Sequence, residues 1–154
     1  MRVKRCTKKA FAVIGKEGST DDGTGFIQRL WKETNSHFNE VTDLAEKDEN
    51  GNILGIWGAM SDFSHSFHPW EDGFSKGLYL AGAECPMDSK APEGWIKWII
   101  PAYEYVYVEN EAPDTFPQMI KYLEANNMHL AGAAHEFNCP ETGKGYLFFP
   151  IGIL

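Results

Sequence analysis

Two acidic residues in strand-like runs are the side chains best placed for chemistry. Glu136 has the small neighbours Gly132 and Ala134 on its own face of the run, which leave space beside its carboxylate. An ionised carboxylate on a sheet is costly unless it is paired, solvated or bound to a cation. Asp62 holds the matching position of an earlier run. We expect both acids to converge on a central groove that takes a cation; two exposed carboxylates at strand ends are the alternative.

Aromatic side chains are candidates for the walls of such a groove. Tyr103, Tyr105 and Tyr107 alternate along one run and therefore share one face of a strand. Each brings an apolar ring and a hydroxyl, and a cation over a ring gains about 0.5–2 kcal/mol. A tyrosine stripe that only covers a sheet is the alternative. The predicted ligand contacts are Glu136, Tyr105, Tyr79, Tyr107, Trp98, Asp62, Tyr146 and Trp70.

Other catalytic and metal-binding patterns find little support. His65 and His68 near Asp62, and His135 in the later run, lack a third or fourth ligand at a recognisable spacing. The glycine-rich segment 15–25 lacks both the Lys-Ser/Thr of a P-loop and the dinucleotide pattern. No serine lies in a GxSxG motif, and no cysteine has an evident base. We predict no catalytic residue, no metal and no cofactor.

Composition limits the partners and the compartment. The 154 residues are 43% hydrophobic and 14% aromatic, which suffices for the core of one domain. A formal charge of −8 disfavours direct nucleic-acid binding and attracts cations. Three cysteines without a signal-peptide pattern predict a cytoplasmic protein, and no run approaches the ~18 apolar residues of a membrane span. The one basic cluster, residues 1–9, is interpreted as a solvated start.

The elements that must position these residues occur in a repeated order. The first half contains a predicted strand, helix, strand and strand at 10–15, 26–41, 53–63 and 77–85. The second half repeats this order at 98–108, 115–126, 130–138 and 146–151, and its first strand is expected to be interrupted or bent near Pro101. Segments 58–63 and 132–137 match at an offset of 74, whereas Phe26 and Phe116 of the helices lie 90 apart. The difference falls in an exposed connection, where insertions are tolerated.

This repetition predicts the fold class. We expect an α+β domain over residues 1–154, with pseudo-repeats at about 8–88 and 95–152 related by a pseudo-two-fold axis. Each repeat is a strand–helix–strand–strand unit with too little apolar surface to fold alone. The predicted sheet is antiparallel, with the helices on one face and the ligand cleft on the other.

Several short motifs, in this order and spacing, resemble the GyrI-like effector-binding family. They are AFAVIG at 10–15, FIQRLW at 26–31, YLAGAE at 79–84, IPAYEY at 100–105, EF at 136–137 and FPI at 149–151. The resemblance covers nearly the whole chain. It is greater to stand-alone members, including integron-cassette effector-binding proteins, than to members that form the C-terminal halves of AraC- and MerR-type regulators.

The resemblance implies a cleft for lipophilic, often cationic, aromatic compounds with a glutamate at its base. This glutamate carries over to Glu136, and the family's strand tyrosine carries over to Tyr105 rather than Tyr103. Gly145-Tyr146 stands where many members have Thr-Glu, which leaves the preference for ligand charge open. Asp62 is our own candidate for a second acid.

We therefore predict a small-molecule effector or multidrug-binding protein, linked to transcription regulation or to xenobiotic sensing or sequestration. The sequence favours a binding protein over an enzyme. One alternative is a small hydrolase of electrophilic cytotoxins that uses Glu136 as its acid, as the resemblance allows. Another is an interaction protein that resembles a gyrase inhibitor. No membrane or direct nucleic-acid partner is expected, transcription control would need a separate DNA-binding regulator, and the oligomeric state is open.

Overall fold

A computed structural model describes all residues, Met1–Leu154, and contains one eight-stranded antiparallel sheet. The strands are β1 (Lys4–Lys8), β2 (Phe11–Ser19), β3 (Ile56–Ser61), β4 (Leu78–Cys85), β5 (Ile96–Ile100), β6 (Tyr103–Glu109), β7 (His135–Asn138) and β8 (Gly145–Ile153). The helices are α1 (Phe26–Ser36), the four-residue α2 (Glu71–Phe74) and α3 (Thr115–Ala125), with 3-10 turns at Thr20–Asp22 and Phe38–Glu40. The predicted α+β class and antiparallel sheet are confirmed.

The strand order β1-β6-β8-β7-β3-β4-β2-β5 sets two similar halves side by side. At the centre β3 pairs with β7, which places Gly58 opposite Glu136. Each half receives its edge strand from the other, because β1 pairs with β6 and β5 pairs with β2. This reciprocal exchange ties the two halves into one sheet.

The N-terminal segment is a strand rather than the predicted solvated start. β1 forms a regular ladder with β6, from Lys4 opposite Tyr107 to Lys8 opposite Tyr103. The charged composition of β1 concealed it, because Cys6 is its one apolar contributor to the core. An edge strand rich in lysine and arginine is a common protection against further strand pairing.

The predicted strand 98–108, expected to be interrupted or bent near Pro101, forms two strands, β5 and β6. Pro101 and Ala102 separate them, since proline has no N–H to donate to a ladder. After this break the chain crosses from one end of the sheet to the other. The division therefore places β5 beside β2 and β6 beside β8.

Helices α1 and α3 pack on the same face of the sheet, each over its own half. Phe26 and Leu30 of α1 lie against β4, and Met119 and Leu123 of α3 lie against β6 and β8. The apolar residues of α3 recur at i, i+3, i+4 and i+7, so one stripe of this helix meets the sheet. Above β3 and β7 neither helix covers the sheet completely.

Most of the opposite face is filled by a tightly packed cluster, and a cavity of about 310 Å³ lies at its edge beside Tyr107 and Tyr146. The buried members of the cluster are Phe11, Val13, Trp57, Ala59, Leu78, Leu80, Trp98, Ile100, Tyr103 and Tyr105. The sequence predicts the ligand cleft on this face, but the structure places the cavities beside Glu136 on the face that carries the helices. None of the helices combines the length and apolar character that a bilayer crossing requires.

Candidate functional site

A hydrogen-bonded chain of three side chains occupies the centre of the helix-bearing face. The Tyr79 hydroxyl on β4 donates to Glu136 Oε1 on β7 at 2.6 Å. The indole Nε1 of Trp31 on α1 donates to the same Tyr79 oxygen at 2.9 Å. Gly58 on β3 makes this arrangement possible, because a Cβ there would overlap the Tyr79 hydroxyl.

The environment of Glu136 favours a neutral acid or a bound cation. Burial raises the pKa of Glu136 above its ordinary value, and the hydrogen bond from Tyr79 offsets part of this rise. No basic side chain forms a salt bridge with Glu136. Burial, together with the Glu136 charge, raises the pKa of Tyr79 well above its ordinary value, so its phenol stays a donor. An ionised Glu136 is therefore left without a positive partner from the protein.

A cavity of about 620 Å³ opens on this face of the sheet. Met60 of β3 lies at its base, Phe116 and Ile120 of α3 form one wall, and Trp70 and Phe74 form the other. The rings of Phe74 and Phe116 meet edge to face with their centroids 5.4 Å apart. This volume and apolar lining are typical of small-molecule sites, which span roughly 300–1,000 Å³.

A second cavity of about 350 Å³ contains Glu136. Met60 and Phe116 line this cavity as well as the larger one, so the two spaces adjoin at these side chains. Glu111 and Leu147 also line the second cavity. We call the first space the large chamber and the second the small chamber, and together they form the groove.

Trp70 is held in the wall of the large chamber by the residues around it. Its Nε1 donates to the Leu78 carbonyl at 2.9 Å. Gly77 leaves room for the indole, because a Cβ at that position would overlap it. The wall is therefore built into the connection between β3 and β4 before any ligand arrives.

This connection contains unusual backbone. His65, Phe67, Asp72 and Phe74 all have positive φ, between 51° and 66°. Residues other than glycine rarely adopt this conformation, which costs of order 1–3 kcal/mol each and concentrates at functional loops. The connection between β3 and β4 is thus shaped to carry the groove wall.

Asp62 organises this connection and does not face the groove. Its carboxylate accepts hydrogen bonds from the Ser61 hydroxyl at 3.1 Å, the Ser64 hydroxyl at 2.8 Å and the Ser66 N–H at 2.9 Å. Burial acts to raise the pKa of Asp62, but these hydrogen bonds outweigh it and hold the pKa below its ordinary value. The expectation that Asp62 and Glu136 converge is wrong, because the chain turns away after Ser61.

Three of the eight predicted contact residues lie together at the groove: Glu136, Tyr79 and Trp70. Four others lie on the opposite face: Trp98, Tyr105, Tyr107 and Tyr146. Tyr105 is completely buried there, its hydroxyl has no hydrogen-bond partner, and burial raises its pKa. Trp98 donates to Glu17 at 2.8 Å on the same side.

The register of the sheet explains this separation. Glu136 lies opposite Leu147, and Leu147 packs with Val106 and Val108 beneath α3. Glu136 therefore shares the valine face of β6, while the tyrosines of that strand point the other way. The tyrosine stripe and Glu136 therefore do not line one cleft. They would do so only if the pairing of β7 with β8 were shifted by one residue.

Several groove residues escaped the sequence analysis. Phe116 and Ile120 belong to the apolar stripe of α3, and such a stripe predicts core packing without showing which members border a cavity. Trp31 belongs to the apolar stripe of α1, which also predicted core packing and did not reveal its hydrogen bond to Tyr79. Phe74 ends the four-residue α2, in a connection whose sequence has no hydrophobic period, so no signal pointed to it. The structure contains no group of three His, Cys, Asp or Glu side chains arranged for a metal ion.

Comparison with known proteins gives matches in structure alone. No protein-family model and no curated protein matches the chain. The structure of SAV2435 bound to tetraphenylphosphonium matches with a TM-score of 0.64 and 15% identity, over 98% of this chain and 94% of that one. The EcmrR C-terminal domain matches with a TM-score of 0.66 and 13% identity, over 99% and 98% of the two chains.

An integron cassette protein from the mobile metagenome of Vibrio cholerae matches with a TM-score of 0.57 and 14% identity, over 99% of this chain and 95% of that one. These alignments run almost from end to end in each pair, so the likeness concerns the whole architecture rather than one motif. The chain therefore has the GyrI-like effector-binding fold that its motifs resemble.

Proposed function

We propose that this protein binds an aromatic, lipophilic cation in the groove, with Glu136 as the counter-charge. The observation that carries the proposal is a half-buried carboxylate that has no basic partner and lines a cavity adjoining a larger, mainly apolar one. Burying a charge without a partner is unfavourable, so a cation that enters the groove relieves a cost already present in the free protein.

The walls of the groove suit the rest of such a ligand. Trp70, Phe74 and Phe116 present rings around the large chamber. Apolar surface removed from water contributes about 25 cal/mol per Å², and each good cation–ring contact adds about 0.5–2 kcal/mol. SAV2435, which has the same fold, is bound to tetraphenylphosphonium, an aromatic cation, and this supports the same ligand class here.

The biological role that follows is that of a ligand sensor or a sequestering protein in the cytoplasm. The fold is shared with the C-terminal domain of EcmrR, and the chain also matches 58% of the EcmrR chain in a complex with DNA, with a TM-score of 0.67 and 14% identity. In our proposal the present chain supplies the ligand-binding function alone, because its net charge of −8 opposes contact with DNA phosphates. A separate DNA-binding regulator would supply any effect on transcription.

Titration calorimetry with tetraphenylphosphonium tests the proposal. Triphenylphosphine oxide serves as the neutral aromatic reference. The wild-type protein should bind the cation more tightly than the neutral compound, and Glu136→Gln should weaken cation binding about fivefold, as for a charge pair worth about 1 kcal/mol. The control is Glu93→Gln, which removes the same charge from an exposed loop and should leave the affinity unchanged.

Two results would contradict the proposal. Saturable binding that is equal in the wild-type protein and Glu136→Gln would remove the counter-charge role. An absence of saturable binding by either compound would remove the ligand class altogether.

A further inference from the structure

The two chambers of the groove differ in electrostatic character. The charged residues that line the small chamber are Glu136 and Glu111, both acidic. Those that line the large chamber are Lys121 and Glu124, one of each sign, on consecutive turns of α3. The field of the small chamber is therefore negative, while the charges of the large chamber largely cancel.

The chambers also differ in size and in surface. The large chamber has about 620 Å³ and is walled mainly by rings and aliphatic side chains, whereas the small chamber has about 350 Å³ and holds the half-buried Glu136 carboxylate. Met60 and Phe116 are common to both. A ligand that occupies both chambers would therefore cross from one to the other beside these two side chains.

We infer that the preferred ligand is elongated and carries its positive charge at one end. The charged head occupies the small chamber against Glu136 and Glu111, the chain passes between Met60 and Phe116, and the aromatic body fills the large chamber. This inference rests on the proposed function and specifies the ligand class.

The position of the charge within the ligand matters because Coulomb attraction falls with distance and with solvent exposure. A quaternary ammonium at the end of a chain brings its methyl groups into contact with Glu136. A phosphonium surrounded by four phenyl rings keeps a ring between its charge and any carboxylate. Such a compact cation fits the large chamber by its apolar surface but gains less from Glu136.

Calorimetry with two cations compares these cases. The terminal cation is a phenylhexyl-trimethylammonium salt, and the central cation is tetraphenylphosphonium. Glu136→Gln should weaken the terminal cation at least about tenfold, roughly 1.4 kcal/mol, and the central cation less. Equal losses for the two cations would overturn the inference while leaving the proposed function intact.

A matched pair of variants locates the charged head. Glu111→Gln and Glu124→Gln remove the same charge, one from each chamber, and both side chains are exposed. At low salt, Glu111→Gln should weaken the terminal cation about threefold, as expected for an exposed charge pair, and Glu124→Gln should leave it nearly unchanged. The reverse order would place the head in the large chamber and overturn the inference.

Filling the large chamber gives an independent readout. Ile120 lines the large chamber and not the small one, so Ile120→Trp should weaken phenylhexyl-trimethylammonium about tenfold or more while benzyl-trimethylammonium, with its head in the small chamber, keeps most of its affinity. Ile120→Leu conserves the volume and is the control. If both ammonium compounds respond alike to Ile120→Trp, the two-chamber placement is wrong; if no cation binds to the wild-type protein, the proposed function fails with it.

Discussion

The Tyr79 hydroxyl reaches Glu136 Oε1 at 2.6 Å although the two residues stand on strands that are not neighbours. β3 lies between β4 and β7 in the sheet. The contact crosses β3 directly above Gly58. The Tyr79 phenol occupies the space that a side chain at position 58 would need. The geometry of the candidate site therefore depends on a residue that contributes no side-chain chemistry.

Gly58→Ala should disrupt this crossing. The new methyl group would overlap the Tyr79 hydroxyl and approach Glu136 Oε1 to 3.1 Å, so the pair must move apart. Overpacking of this kind typically costs about 1–3 kcal/mol. Urea unfolding should show this loss, and calorimetry should show weaker binding of tetraphenylphosphonium.

Gly152→Ala is the matched control for this substitution. A Cβ at Gly152 meets nothing nearer than Glu104 Cβ at 3.7 Å, so β8 should accept it with a change within about 0.5 kcal/mol. Equal stability of the two alanine variants would show that the space above Gly58 is not needed.

Tyr79→Phe should remove the middle of the hydrogen-bonded chain. The Trp31 Nε1–H and Glu136 would both lose a partner, and an unsatisfied buried polar group costs about 1–3 kcal/mol. The variant should therefore unfold at a lower urea concentration. Tyr122→Phe on α3 is the control, because no hydrogen bond of the structure involves that hydroxyl, and a similar loss there would refute the assignment.

Cation binding should strengthen as the pH rises through the pKa of Glu136. Burial raises this pKa above 4.5, so the carboxyl group is neutral in mildly acidic solution and attracts a cation only after it ionises. Tyr79→Phe removes a hydrogen bond that lowers the pKa and should move the midpoint of binding to higher pH. Calorimetric affinities across a pH series give the midpoint; a pH-independent affinity would contradict the role of Glu136.

Ionisation of Glu136 should strengthen cation binding but lower the stability of the free protein. Because the folded-state pKa of Glu136 is raised, its contribution is favourable below its ordinary value of 4.5 and is lost as the pH rises through the folded-state pKa. Glu136→Gln keeps an oxygen that can accept from Tyr79 and never ionises. The free energy of unfolding of this variant should equal that of the wild-type protein in acid and exceed it at neutral pH, as measured by urea titration at both.

The sequence identified the elements best where a period was long and unbroken. The stripe from Phe116 to Leu123 gave α3 to within one residue of its observed end, since four positions agree on one helical face. β1 was missed because pairing with β6, rather than its own apolar content, makes it a strand. A hydrophobic pattern in the sequence reveals a strand only when the strand buries apolar side chains, and the charged edge strand β1 buries few.

The sequence analysis placed some residues of the candidate site on the correct face of the sheet and others on the wrong face. Glu136 was selected because it stands among small residues in a predicted strand and because the resemblance places a glutamate at the base of the cleft. Tyr105 was misplaced because alternation shows that residues share a face without showing which face is the one with the helices. That choice is made by the pairing of β7 with β8, which puts Glu136 opposite Leu147.

Asp62→Ala distinguishes a loop-organising acid from a ligand-binding one. The substitution leaves the Ser64 hydroxyl and the Ser66 N–H without their acceptor and should destabilise the protein by about 1–3 kcal/mol at neutral pH. Because the pKa of Asp62 is lowered in the folded state, its stabilisation is present above the ordinary value of 3.8 and is lost as the pH falls through the folded-state pKa. The difference in the free energy of unfolding between the wild-type protein and the variant should therefore be smaller in acid than at neutral pH, as measured by urea titration at each pH.

The binding experiment separates the two roles of the acid. At temperatures where both variants are folded, tetraphenylphosphonium affinity should fall less in Asp62→Ala than in Glu136→Gln. If Asp62→Ala keeps its stability but loses cation binding, Asp62 is a ligand-binding residue and the loop-organising role is wrong.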